Sequence, residues 1–146
     1  MQRYTPIVWN DALITGVEEI DDQHRILVKT LNEAGVKLAG KPDLPLLEQI
    51  TRDLLSYAIY HFETEETLMA ELDYLGHHPE EAAAHTQAHR SFSAKVVAIR
   101  DGLKVGQLIS RDDLLNFLNG WLVGHIMATD KKLAAFILQQ RGAAAA

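Results

Sequence analysis

Apolar residues recur along this chain at the three- and four-residue spacing of amphipathic helices, and Gly and Pro interrupt that spacing only rarely. The pattern predicts four long helices after an irregular N-terminal arm that runs to about Ile20 and packs Trp9 against the bundle. Helix A is expected to start at Asp21, a good N-cap, and to stop near Ala39-Gly40. Its stripe is Ile20, His24, Leu27, Leu31, Gly35 and Leu38. Helix B follows Lys41-Pro42-Asp43 and tolerates Pro45 in its first turn. Its stripe is Leu47, Ile50, Leu54, Tyr57, His61, Glu65, Leu68 and Leu72. Asp73 to His78 reads as a loop.

Helix C opens with Pro79-Glu80-Glu81, acids that suit the dipole at a helix N-terminus. Its stripe is Ala82, His85, His89, Phe92, Val96, Ile99 and Leu103. Helix D begins at Ser110, with Asp113 three residues on, and its stripe is Leu114, Leu118, Trp121 and His125. The tail from Arg141 to Ala146 is expected to fray. Short connections between amphipathic helices predict an all-α fold, an up-down-up-down four-helix bundle. The expected organisation is one domain over residues 1–146, with the arm at 1–20, the bundle at 21–140 and the tail at 141–146.

Six polar residues break into the stripes: His24, His61, Glu65, His85, His89 and His125. A buried polar group costs free energy unless it is paired, and a buried charge costs far more. One such residue is readily accommodated as a satisfied core histidine. Six converging from four helices call for a common partner, and a metal is the simplest. His61 and Glu65, and His85 and His89, are i,i+4 pairs that stack on one helix face.

Helix D adds Asp130, but at an awkward spacing. Five residues turn an ideal helix by about 500°, which points Asp130 about 140° away from His125. Continued from His125, the stripe meets Thr129 and Lys132; restarted at Asp130, it meets Leu133 and Ile137. One extra residue is therefore expected to be absorbed between His125 and Asp130, as a π-bulge does. The full set is five imidazoles and two carboxylates, enough for two metals if the carboxylates bridge. Neutral nitrogen ligands suit iron, among other metals, and do not strongly favour its ferric state. His77 and His78, beside Pro79, read as exposed loop residues without a ligand role, and Phe92, Phe117 and Phe136 as core.

The chain has 146 residues, 47% of them hydrophobic, which supports a sizeable core. Its formal net charge of −6 argues against nucleic acid or an anionic membrane as partner. The absence of cysteine excludes disulfides, thiolate metal sites and iron–sulfur clusters. No apolar run approaches a membrane span and Met1 to Asn10 lack a signal-peptide core, so a cytoplasmic location is expected. No Glu precedes a His by three residues, unlike the pairs of ferritin-like di-iron enzymes, and Thr86 replaces the Glu of a zinc-peptidase helix.

At these residues the chain resembles the hemerythrins, most closely the single-domain bacterial ones. The resemblance rests on Gly16-Val17-Glu18-Glu19-Ile20-Asp21-Asp22-Gln23-His24, on His61-Phe62-Glu63-Thr64-Glu65-Glu66, on His85-Thr86-Gln87-Ala88-His89, and on Trp121-Leu122-Val123-Gly124-His125-Ile126 through Asp130. It implies two iron ions joined by an oxo or hydroxo group. His85, His89 and His125 would bind a coordinatively full iron. His24 and His61 would bind the other, which keeps an open position for dioxygen. Glu65 and Asp130 would bridge. Leu27, Phe62, Trp121 and Leu122 are the candidate walls of an apolar dioxygen pocket, each within four residues of a ligand position.

The implied role is reversible dioxygen binding by a carrier, storage or delivery protein, and not an enzyme. A separate protein acceptor of the oxygen is a possible partner. Two other classes stay open: an oxygen or redox sensor acting on a separate partner, and a di-iron oxidase or peroxidase. Sensors of this kind are commonly fused to output domains, for which 146 residues leave no room. Related iron–sulfur repair proteins carry a cysteine-bearing region that is missing here.

Overall fold

The computed structural model describes residues 4–39 and 43–145. After a short 3₁₀ turn at Asp11–Leu13, its helices are α1 (Glu18–Lys37), α2 (Leu44–Glu71), α3 (Tyr74–His77), α4 (Pro79–Lys104), α5 (Arg111–His125) and α6 (Lys131–Ala145). A π-helical turn, Ile126–Asp130, joins α5 to α6. The four long rods of the bundle are α1, α2, α4 and the α5–α6 unit, and α2 packs against both α1 and α4. No strand occurs among the described residues.

Side-chain caps set the starts of α2 and α5. The Asp43 side chain accepts from the Leu46 amide and caps α2, with Pro45 in the first turn as expected. Ser110 caps α5 by accepting from the Asp113 amide. Gly40, the expected stop for the first helix, lies outside the described residues, as do Lys41 and Pro42; α1 ends at Lys37.

Three boundaries differ from the sequence reading. The first helix starts at Glu18 and not at Asp21. Asp21 lies inside the first turn, buried, and caps the end of the arm instead. Its Oδ1 accepts from the Thr15 amide at 2.8 Å and the Thr15 hydroxyl at 2.7 Å, and its Oδ2 from the Gly16 amide at 3.0 Å. Gly16, at φ 95°, supplies the left-handed backbone that this turn needs. The arm thus ends at Val17. Asp73 to His78 is not a plain loop, because Asp73, at φ 54°, ends α2 and caps the single turn of α3 by accepting from the Gly76 amide. The last helix continues past Arg141 to Ala145, and the Arg141 guanidinium pairs with Glu19 of α1 through two contacts of 3.1 and 2.8 Å.

Trp9 is half-buried beneath the Arg25 guanidinium, whereas Tyr4 is the buried anchor of the arm. Its ring occupies the space that a Cβ at Gly35 would fill. Phe92 and Phe136 are core residues; Phe117 is only half-buried, with Lys95 over its ring.

The apolar core falls into two parts. One contains Leu27, Phe62, Phe92 and Leu122; the other contains Ile20, Met69, Ala82 and Leu133. Most of the polar stripe residues lie between a member of each part: His24 between Ile20 and Leu27, Glu65 between Phe62 and Met69, His85 and His89 between Ala82 and Phe92, and His125 and Asp130 between Leu122 and Leu133, while His61 stands one turn before Glu65, between Ala58 and Phe62 of the first part. A polar layer therefore crosses the middle of the bundle.

Candidate metal centre

All seven residues singled out from the sequence meet in that layer. His24, His61, Glu65, His85, His89, His125 and Asp130 are all buried, with Glu65 and Asp130 fully shielded from solvent. Each arrives by helical register. His24 projects inward from α1, the i,i+4 pairs from α2 and α4, and His125 from the end of α5. Asp130 is brought round by the π-helical turn, whose Lys131 amide bonds five residues back to the Ile126 carbonyl. The distortion expected from the five-residue spacing is present at the expected place.

The ligand-type atoms form two overlapping groups. Glu65, His85, His89, His125 and Asp130 gather to within 4.8 Å of one another, and so do His24, His61, Glu65 and Asp130. Both groups share the same two carboxylates. Asp130 Oδ2 lies 2.7 Å from His24 Nε2, while its Oδ1 lies 2.9 Å from His125 Nε2 and 3.2 Å from His85 Nε2. Glu65 Oε1 lies 3.1 Å from His61 Nε2 and 3.2 Å from His89 Nε2. Each carboxylate spans from one group to the other.

These close approaches are not sound hydrogen bonds. Both Glu65 oxygens, both Asp130 oxygens, both ring nitrogens of His24 and of His85, and His61 Nε2 are buried without a hydrogen-bond partner. The Nε2 atoms of His89 and His125 face each other at 3.0 Å. An unsatisfied buried polar group costs about 1–3 kcal/mol, and lone pairs aimed at common points suit a cation there. Imidazole nitrogens and carboxylate oxygens are a donor set that fits divalent transition metals, iron included.

The electrostatics of the metal-free cluster follow from the same contacts. Burial alone raises a carboxylate pKa, but the histidines His125, His61, His85 and His89 hold Glu65 well below the usual range. Asp130 is also lowered: burial and the Glu65 charge push it up, and His125, His24 and His85 outweigh them. Burial pushes His85 down, yet the close Asp130 and Glu65 carboxylates raise it to about 9. His125 is raised in the same way, whereas burial lowers His89, which faces Glu65 but also the like charges of His85 and His125. These opposite directions reflect one negative pair shared among several rings, so the cluster titrates as a unit.

An outer layer holds the rings in place. Phe62 stacks on His89 at 4.0 Å between centroids, and Trp121 on His125 at 4.5 Å. The Thr129 hydroxyl lies 2.6 Å from the His125 carbonyl and 2.7 Å from its Nδ1. The carbonyl can only accept, so the hydroxyl proton points there and Nδ1–H donates to the Thr129 oxygen. That leaves His125 Nε2 bare on the inner side. On the first rod, Gln23 Oε1 lies 2.6 Å from His61 Nδ1. The sequence reading missed Gln23 and Thr129. Thr129, four residues after His125, carried a weak i,i+4 signal; the Gln23 contact crosses between helices and carried none.

Beside the centre lies a small apolar cavity of about 20 Å³. Leu27, Phe62, Trp121 and Leu122, the expected pocket residues, all line it, joined by Phe92 and others. Its size admits about one water-sized molecule. His77 and His78 are exposed, as expected, and take no part.

Residues 15–137 match the family model of the hemerythrin HHE cation binding domain. The chain is 33% identical over 124 residues to a bacteriohemerythrin of Pseudomonas aeruginosa (strain LESB58), covering 85% of this chain and 76% of that one. It is 34% identical over 128 residues to a bacteriohemerythrin of Stenotrophomonas maltophilia (strain R551-3), covering 88% and 79%. Identity to myohemerythrin-1 of Phascolopsis gouldii is 27% over 127 residues, with 87% and 91% covered. A solved structure of wild-type hemerythrin superposes with a TM-score of 0.80 at 25% identity, over 91% of this chain and 98% of that one. With the family's domain spanning most of its length and a buried cluster of cation-binding side chains at its middle, this chain belongs to the hemerythrin family.

Proposed function

We propose that the cluster holds two iron ions and that the protein binds dioxygen reversibly as a carrier, store or delivery protein. The carrying observation is the pair of overlapping ligand groups, unequal in histidine count and joined by Glu65 and Asp130. In this reading His85, His89 and His125 hold one ion, His24 and His61 hold the other, and both carboxylates bridge. When bound, the iron pair supplies the electrons that make dioxygen binding reversible.

The chain's own residues do the rest. The two carboxylates offset part of the metal charge in a dry interior, and the neutral rings leave the ferrous state accessible. The two-histidine group has one fewer protein ligand, which leaves room for a small molecule. Leu27, Phe62, Trp121 and Leu122 line the neighbouring cavity with apolar surface, which would exclude water and slow loss of a bound ligand. No helix among the described residues is long and apolar enough to cross a membrane.

The test is spectroscopic. The iron-loaded protein is reduced without air, exposed to dioxygen, then purged. A visible spectrum that appears and then disappears on purging supports the proposal. Prompt one-way conversion to the diferric form would instead identify a redox sensor or an oxidase.

A further inference from the structure

A hydrogen-bond chain joins α1 to α2 at the edge of the two-histidine group. Thr64 Oγ1 lies 3.2 Å from the Tyr60 carbonyl, Gln23 Nε2 lies 3.0 Å from Thr64 Oγ1, and Gln23 Oε1 lies 2.6 Å from His61 Nδ1. The direction of every bond follows from one fixed end. The Tyr60 carbonyl only accepts, so the Thr64 hydroxyl gives its proton there and offers lone pairs to Gln23. Gln23 must then turn its NH₂ to Thr64 and its carbonyl oxygen to His61. That oxygen is satisfied only by a proton on His61 Nδ1, and Nε2 is left bare.

We infer that Gln23, oriented by Thr64, is a positioning residue that fixes the tautomer of His61 and aims its Nε2 at the metal centre. The inference rests on the reading of His61 as a metal ligand. His61 Nε2 faces the cluster, 3.1 Å from Glu65 Oε1, and has no hydrogen-bond partner. The 2.6 Å contact lies just below the usual range for N–H···O bonds, so the acceptor sits close against the ring. The other ring of this group has no such partner: His24 Nδ1 is buried and unbonded. Gln23 and His24 are adjacent on α1, so their side chains diverge by about 100° around the helix. His24 enters the cluster directly, while Gln23 reaches His61 from the outer side. One segment of α1 thus supplies a ligand and steers a second.

An acceptor on Nδ1–H also makes the ring a stronger donor through Nε2. Removing the acceptor therefore weakens the hold on metal, and a charged acceptor strengthens it. Two variants separate this role from simple packing. Gln23→Leu keeps the bulk and loses the acceptor; Gln23→Glu keeps the acceptor and adds charge. Each protein is loaded anaerobically with Fe²⁺, and release into a chromogenic chelator is timed. The same proteins, loaded with Zn²⁺ for NMR, report solvent exchange of the His61 Nδ1–H proton.

Gln23→Leu is expected to release iron about 10- to 100-fold faster, the usual effect of losing an outer hydrogen bond to a metal-bound histidine. Its Nδ1–H proton should exchange rapidly. Gln23→Glu should release iron no faster than the parent and keep the protected proton. A packing role predicts the opposite order, with Leu tolerated and Glu disruptive, and that result overturns the inference. Parental loading with two ions and unchanged release from Gln23→Leu overturns it alone. A parent chain that holds fewer than two ions overturns the metal-centre reading with it.

Discussion

His125 Nε2 and Asp130 Oδ1 lie 2.9 Å apart on one rod, although they stand five positions apart and a regular α-helix would turn them away from each other. The π-helical turn Ile126–Asp130 closes that gap, and it places Asp130 where it also meets His24 across the bundle. Because Asp130 belongs to both ligand groups, its removal should harm both. Asp130→Ala is expected to lose most bound iron, whereas His24→Ala, confined to one group, should retain about one ion per chain. Iron analysis after anaerobic reconstitution checks the difference. Equal losses in the two variants would contradict a shared carboxylate.

The metal-free fold should have a stability maximum set by this cluster. His85 is raised to about 9, so its contribution is fully present below the ordinary histidine value and is lost as pH rises through about 9. Glu65 and Asp130 are lowered, so their contribution is present above the ordinary carboxylate values and is lost as pH falls through the depressed ones. Thermal unfolding of the metal-free protein should therefore weaken on both sides of neutrality. Iron or zinc must displace the His85 proton, so loading at pH 7 should release about one proton per chain from this ring. Titration calorimetry in buffers of different ionisation enthalpy measures that release; none at pH 7 would argue against a protonated His85.

Leu27 stands three residues after His24 and lines the apolar cavity. Leu27→Ala should cost about 2–5 kcal/mol of stability through the lost side chain and the enlarged void. It should also let water in, so, on the proposed dioxygen-binding reading, the oxygenated form should convert to the oxidised form faster than in the parent. Timed spectra in air read the rate. A slower conversion would place the cavity outside the ligand's path.

Thr129 accepts the Nδ1–H of His125 from within the π-helical turn. Thr129→Val keeps the shape and strands that proton, at about 1–3 kcal/mol. Thr129→Ser should recover most of the loss. Chemical denaturation of the three proteins, with and without metal, decides whether the hydroxyl or only the methyl matters.

The helical faces, and the chemistry placed on them, are legible in the periodicity of the chain. The 3.6-residue period assigns His24, His61, Glu65, His85, His89 and His125 to buried stripes whatever the rods' final arrangement. The misfit between His125 and Asp130 even located the π-helical turn, because the apolar phase must restart at Leu133. Local pattern did not reach contacts that run backward over a turn or across helices. Asp21 left its expected capping role because its carboxylate found three donors in Thr15 and Gly16, and Asp73 turned a loop into a capped helical turn. The Gln23–His61 bond, the sharing of Glu65 and Asp130 between two groups, and the cavity behind Leu27 depend on how far apart the rods pack. Periodicity fixes which way a side chain faces; only tertiary packing fixes what it meets there.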